Sequence, residues 1–450
     1  MKKTENIMGT RPILPLLISM AVPPMISMLI QSMYNIVDSI FVAQIGENAL
    51  TAVSLAYPLQ NLVLAVAVGL GVGINSCIAI SIGAKDQEKI NKVATHGIFL
   101  TAVHAICFIF IGLFLTKPFI GIFTNNEEIF RLGTTYSYIV ICFSFGSLFH
   151  IAIEKMFQAT GNMIVPMILQ GIGAIINIIL DPIMIFGMFG FPKMGVAGAA
   201  IATIIGQIVA CMLAVILFIK KSGGIHIKLK GFKFEKDVIK KIYSIAVPSG
   251  IMMSLPSILI GVLNGILVSI SQIGVAILGL YFKLQTFVYM PANGVIQGMR
   301  PIISYNYGAK NHKRLLETLK VSLFIVGLIM TIGMSIFLFF PNQILMMFSA
   351  SDQMMDIGVT SLRIISVGFI ISSIGIVFSG MFEALGRGIE SLTISLIRQL
   401  IIIPPLSFIL VKIIGINGVW ISFPIAEIIA ATASFIIFKR MLKEIYISSN

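Results

Sequence analysis

Two acids sit where acids are costly. Asp38 lies toward the far end of an apolar run over 13–43, and Asp181 lies in the latter part of one over 163–187. An ionisable side chain inside a membrane span costs about 2.5–3.5 kcal/mol or more, and marks a candidate functional group. Neither acid is isolated. Gln31, Tyr34 and Asp38 fall at i, i+3 and i+7, on one helix face. Asn177 precedes Asp181 by one turn, and Gln170 precedes Asn177 by seven residues on the same stripe. Thr203 and Gln207 form a further i, i+4 polar pair in the run over 195–219. Pro182 donates no N–H and frees a carbonyl near Ile178. Carboxylates, an amide oxygen and a hydroxyl are hard oxygen ligands suited to a small cation such as sodium. Two acids sharing an apolar site also suit proton carriage. The plainer reading of the same residues is hydrogen-bonding glue between helices.

The elements that must position these groups are membrane helices. The chain is 57% hydrophobic and 11% charged, whereas soluble domains carry about 25% charge. Apolar runs of spanning length, about 20 residues, cover 13–43, 49–81, 92–116, 131–157, 163–187, 195–219, 242–270, 275–304, 317–340, 356–384, 388–413 and 416–438. The fold class expected is therefore an all-α integral membrane protein of twelve transmembrane helices.

The twelve runs are six written twice. Ala21-Val22-Pro23 returns as Ala246-Val247-Pro248, half of the 450-residue chain later. Gly83-Ala84-Lys85 returns as Gly308-Ala309-Lys310 at the same offset, and Met156 to Gly161 as Met381 to Gly386. Gly195-Val196-Ala197-Gly198 returns as Gly415-Ile416-Asn417-Gly418 after a small slip. Two pseudo-symmetric six-helix bundles are expected, over 1–219 and 242–450, related by an axis along the membrane normal. Residues 220–241, rich in lysine and containing glycine, form the cytoplasmic linker. Its Ile225, Ile227, Leu229, Phe232 and Phe234 among lysines suggest an amphipathic segment on the membrane surface. The two halves differ in their acids. Leu263 and Asn264 fall at the place of Asp38, and Pro404-Pro405 falls near Asp181-Pro182. The second half instead carries Lys283, Arg300, Arg363, Arg398, Glu383 and Glu427 in its spans. Arg398 could pair with Glu427 or with Glu383, as a packing lock or a proton relay. Lys283 is either a snorkelling lysine or a cavity charge.

The net charge of +13 does not signal nucleic acid. Lys2, Lys3, Arg11, Lys85, Lys89, Lys92, Lys310, Lys313, Arg314, Lys439, Arg440 and Lys443 share one side with the lysine-rich linker. The other side holds Lys117, Arg131, Lys193 and Lys412. This asymmetry puts both termini in the cytoplasm and the basic runs against anionic lipid heads. The first span would serve as the insertion signal, since its run is too long for a cleaved one. Cys77, Cys107, Cys142 and Cys211 lie in apolar runs without a CxxC pair, which implies neither disulfide nor metal. His96, His104 and His150 have no metal-binding spacing, and no phosphate-binding glycine loop or catalytic constellation is present. Methionines in spans one and seven (Met20, Met25, Met28, Met33, Met252, Met253) suit either core packing or promiscuous apolar ligands. Prolines such as Pro23-Pro24 read as static kinks or as hinges.

Taken together, the tandem halves, Gln31 through Asp38, Asn177 through Pro182, Gly195 through Thr203, and Pro291-Ala292-Asn293-Gly294 resemble the bacterial multidrug and toxic compound extrusion (MATE) family. The resemblance covers nearly the whole chain. It implies a cation-coupled (Na+ or H+) multidrug efflux antiporter, with cationic or amphipathic drugs exported by alternating access. It maps the cation site to Asp38, Asn177, Asp181 and Thr203, and the drug cavity to Gln31 and Tyr34. Lys283 is added to the substrate side on its charge. No enzyme activity and no cofactor beyond the coupling ion are expected. The partners expected are small-molecule drugs or toxic cations and membrane lipids, with the protein a monomer in the bacterial inner membrane. The rival reading is a lipid-linked precursor or polysaccharide flippase, kept open by Lys283, Arg300 and Arg398.

Overall fold

The structure, a computed structural model, describes residues 6–348 and 350–447; Lys2 and Lys3 lie outside them. No strand occurs among the described residues. In chain order the helices are α1 (Ile7–Thr10), α2 (Ile13–Ala43), α3 (Glu47–Gly83), α4 (Gln87–Phe123), α5 (Glu127–Cys142), α6 (Phe145–Ala159), α7 (Ile164–Phe186), α8 (Val196–Lys221) and α9 (Lys236–Val268). They continue as α10 (Gln272–Gly308), α11 (His312–Phe339), α12 (Pro341–Met347), α13 (Asp352–Ser366), α14 (Phe369–Ala384), α15 (Gly388–Leu396), α16 (Ile403–Ile414) and α17 (Asn417–Ile447). Ten stretches are long and apolar enough to cross a membrane, and two bent pairs bring the total to twelve. The pairs are α5 with α6, bent by 42°, and α13 with α14, bent by 49°. The sequence periodicity reads each as one run. The breaks fall half a chain apart, so the bend itself is repeated.

By contact, the chain forms two compact units. The first is Pro23–Gly250 with Gly308–Lys310; the second is the described chain up to Val22, Ile251–Tyr307 and the described chain from Asn311 on. Glycine permits the close packing inside each. A Cβ on Gly73 would meet the Ile242 carbonyl oxygen at 2.6 Å in the first unit. A Cβ on Gly298, its counterpart, would meet the Ala21 nitrogen at 2.8 Å in the second.

The repeats in the sequence are repeats of backbone device. Lys85 and Lys310 both take the left-handed conformation, at φ 59° and 55°. Each is followed by an Asx residue that caps the next helix: Asp86 accepts from the Lys89 N–H, and Asn311 from the Arg314 N–H. Gly195 and Gly415 turn the chain at φ 55° and 65°. Three residues on, Gly198 and Gly418 lie so close to the preceding helix that a Cβ would collide with Met184 O and Leu410 C.

The linker packs on the first unit through both its backbone and its apolar side chains. Its last residues, from Lys236, already belong to α9. Ile225 is buried and Ile227 packs on the same core, which includes Ile74, Ile78, Phe157 and Ile245. The segment is strapped along α4. His226 N–H donates to Asn91 Oδ1 (2.9 Å), Lys228 N–H to Thr95 Oγ1 (3.0 Å) and Glu235 N–H to His96 Nε2 (2.9 Å). Phe232 stacks on Phe99 at 4.2 Å, and Lys92 bridges Glu88 and Glu235. Leu229 and Phe234 alone keep the outward apolar face. Side-chain acceptors on α4 satisfy the linker amides of His226, Lys228 and Glu235.

The close approach of Gly198 and Gly418 is testable. Gly198→Ala and Gly418→Ala force backbone to move, and overpacking of this kind costs about 1–3 kcal/mol. Both are expected to lower the midpoint of thermal unfolding in detergent. Gly261→Ala, whose Cβ meets nothing within 4 Å, should leave the midpoint unchanged or raise it, because alanine is the better helix former.

Candidate functional site

In the first unit, α7 and α8 are drawn together by small residues. A Cβ on Gly206 would meet Gly173 O at 2.7 Å and Asn177 Cβ at 3.5 Å. That closeness brings the polar stripes of the two helices into register. Asn177 stands at the centre: its Nδ2 donates to Asp181 Oδ1 and to Thr203 Oγ1, each at 3.3 Å. Asn177, Asp181 and Thr203 are all buried, Asp181 completely. Asp38 comes in from α2, and its carboxyl is within hydrogen-bonding reach of that of Asp181. One turn before it, Tyr34 lies in the field of both carboxyls. Farther along the stripe Gln170 Nε2 donates to Gln31 Oε1 at 3.3 Å, joining α7 to α2.

Three oxygens of this cluster are buried without a donor among the described residues: Asp38 Oδ1, Asn177 Oδ1 and Asp181 Oδ2. Buried acceptors of this kind are rare and call for a partner. Two carboxylates in contact, out of water, repel strongly unless a positive charge or a proton accompanies them. With Thr203 Oγ1 they form an oxygen-only set suited to Na+ or H+.

Of the residues expected from sequence, Asp38, Asn177, Asp181 and Thr203 come together here, with Tyr34 beside them and Gln31 on the same face. Lys283 belongs to the other unit, where it is exposed on α10. Two lining groups escape the stripe analysis: Tyr136 of α5, which lies in the field of Asp38 and Asp181, and Gln60 of α3, whose Nε2 donates to the Tyr136 hydroxyl at 3.2 Å. Gln60 and its neighbour Asn61 are paired amides within an apolar run, and that is the signal that would have found it. A cavity of about 350 Å³ bordered by Asp86, Glu88, Lys92, Glu235, Asp237 and Lys241 shares no residue with the site. Among the described residues no three His, Cys, Asp or Glu side chains gather to hold a metal.

In the second unit two arginines of the spans meet acids. Arg300 is held by Glu383, and Arg398 Nε stands 3.8 Å from Glu427 Oε1.

The same frame is found in known proteins. A family model described as MatE matches residues 23–183 and 235–409. The chain belongs to the MatE family. It is 30% identical to the multidrug export protein MepA of Staphylococcus haemolyticus over 425 residues, covering 93% of this chain and 92% of that one. MepA of a Staphylococcus aureus strain is 29% identical over 436 residues, covering 95% and 93%. Among solved structures, a MATE protein in the bent conformation superposes with a TM-score of 0.92 at 25% identity, over the whole of both chains. MatE membership thus rests on both halves, since the matched residues run from Pro23 in α2 into α7 and from the start of α9 into α16.

Asn177 is the donor that ties the acid to the hydroxyl. Asn177→Ala leaves Asp181 Oδ1 and Thr203 Oγ1 without it, a loss of about 1–3 kcal/mol for buried groups. The unfolding midpoint is expected to fall more than in Thr203→Val, which removes only one acceptor. The reverse order in detergent-solubilised protein would displace Asn177 from the centre.

Proposed function

We propose that the chain is a cation-coupled multidrug efflux antiporter of the bacterial inner membrane, acting as a monomer with both termini in the cytoplasm. The observation that carries this reading is the pair Asp38–Asp181, two contacting carboxyls with donorless oxygens beside Asn177 and Thr203. A Na+ or H+ entering from outside neutralises the pair. Drug and ion then compete for the bundle: each must bind the two access states with different free energy, or no coupling follows. Pro23 and Pro24 inside α2 remove backbone donors one turn after Ser19 and Met20, and make that helix the natural element to bend. Gln31 and Tyr34, on the same face of α2 as Asp38, lie on the drug side. Lys283 is a further polar contact for substrate in the second unit. Cationic or amphipathic drugs fit the acids and the ring of Tyr34, and the MepA relatives carry the name multidrug export protein.

The test is efflux of a fluorescent cationic dye from pump-deficient cells, with membrane levels matched. Asp38→Asn and Asp181→Asn are each expected to slow efflux by roughly tenfold or more. Collapsing the sodium gradient or adding a protonophore identifies the ion from which condition stops the wild type. Wild-type efflux by Asp38→Asn would sink the scheme.

A further inference from the structure

The second unit contains two largely buried acids that the scheme above does not use: Glu383, held by Arg300, and Glu427, whose partner is more distant. Glu427 lies on α17, and its side chain is 13% exposed. Its ionic partner Arg398 is 19% exposed and approaches through one contact only, Nε to Oε1 at 3.8 Å, too long for a hydrogen bond. Oε2 has no donor among the described residues. A pair kept only to lock two helices would be expected to meet in bidentate geometry with its oxygens satisfied. This one does not.

The surroundings give the pair freedom. Arg398 sits in a π-helical turn, Ile397–Ile401, closed by Ile402 N–H to Ile397 O at 3.3 Å. Such turns carry an extra residue in the helix and recur at functional sites. Glycine leaves room on the α14 side: a Cβ on Gly375 would meet only Arg398 Cδ and Ile394 Cγ2, each at 4.0 Å. The repeat sharpens the contrast. Arg398 falls at the place of Gly173, and Glu427 at the place of Gln207. In the first unit the place of Arg398 is a close glycine approach, with a Cβ on Gly173 due 3.2 Å from Ala210 Cβ and 3.3 Å from Gly206 O. The second unit has put an ion pair there.

We propose that Glu427 is a second proton-binding site of the chain, with Arg398 as its exchangeable counter-charge. When Glu427 takes a proton on Oε2, the single contact to Arg398 lapses and the guanidinium turns away through the space beside Gly375. When the proton leaves, Arg398 returns. The ligand is a proton rather than a larger cation because the carboxyl is nearly closed off. The titratable groups facing it are Arg398 and, from α10, Tyr281 and Tyr289. The Tyr289 hydroxyl is committed to Ser372 of α14 at 3.0 Å. Arg363 of α13 donates to Leu338 O, Glu383 of α14 is held by Arg300, and Ser407 of α16 hydrogen-bonds Ser422 of α17. None of these supplies a second counter-charge.

The measurement is infrared difference spectroscopy of the purified full chain, titrated with pH, in an Asp38→Asn/Asp181→Asn background. That background silences the first carboxyl pair, and protonation is read without any transport, so failure here is separable from failure of the antiporter scheme. A buried carboxylic-acid C=O band is expected to appear as pH falls, to vanish in Glu427→Gln, and to shift its midpoint in Arg398→Met. A band unchanged in a folded Glu427→Gln, or no titrating band at all, overturns the proposal and leaves a packing pair. If Glu427→Gln does not fold, Glu427→Asp must move the band; an unmoved band overturns it equally.

Discussion

Two carboxyls in contact, out of water, hold together only in the company of positive charge. The arrangement around Asp38 and Asp181 is built on that constraint. Gly173 and Gly206 let α7 and α8 approach until backbone meets backbone, which seats Asn177 against both Asp181 and Thr203. Asn177 spends its amide hydrogens on those two acceptors and leaves its own oxygen free. The outcome is a set of oxygens with more lone pairs than donors. In a low-dielectric interior that surplus is an unfavourable state waiting for a cation. A hydrogen-bonding seam meant only for packing would balance donors and acceptors.

The duplicated halves keep their backbone devices and exchange their chemistry. Left-handed lysines, Asx caps, the glycine turn, the glycine approach and the bent helix pair all occur twice. The side chains at matched places do not agree. Asn75, whose amide donates to Lys155 O, matches Arg300, which is tied to Glu383. Gln158, bound to Lys155 and Glu154, matches Glu383 itself. Gly173 matches Arg398. Backbone devices are constrained by sterics that tolerate few residues, so they persist. Polar pairs need only remain satisfied, so they can be rewired one side at a time.

The segment joining the halves illustrates how local satisfaction acts beside composition. Lysines with interspersed apolar residues fit a membrane-surface strip. In addition, the amides of His226, Lys228 and Glu235 find Asn91, Thr95 and His96 on α4, and Ile225 finds a core. His96 closes the strap with both ring nitrogens, since Nδ1 meets Lys92 O while Nε2 accepts from Glu235. The charges of Lys92, Glu88 and Glu235 then settle among themselves at the rim.

The sequence by itself determined the number and order of the spans, because a stretch of about 20 apolar residues has few fates. It determined the twofold repeat and the polar stripes, because helical periodicity converts spacing into facing. Asp38, Asn177, Asp181 and Thr203 were legible for that reason, and the run over 13–43 matches α2 residue for residue. Tertiary structure decided what spacing does not encode. It chose Glu427 rather than Glu383 for Arg398, since partner choice depends on which helices touch. It brought Gln60 and Tyr136 from α3 and α5 to the edge of the site. It bent α5 against α6 and α13 against α14, and opened a π turn at Arg398. Hydropathy is blind to all three, because a bend or an extra residue in a turn leaves the apolar count of the run unchanged.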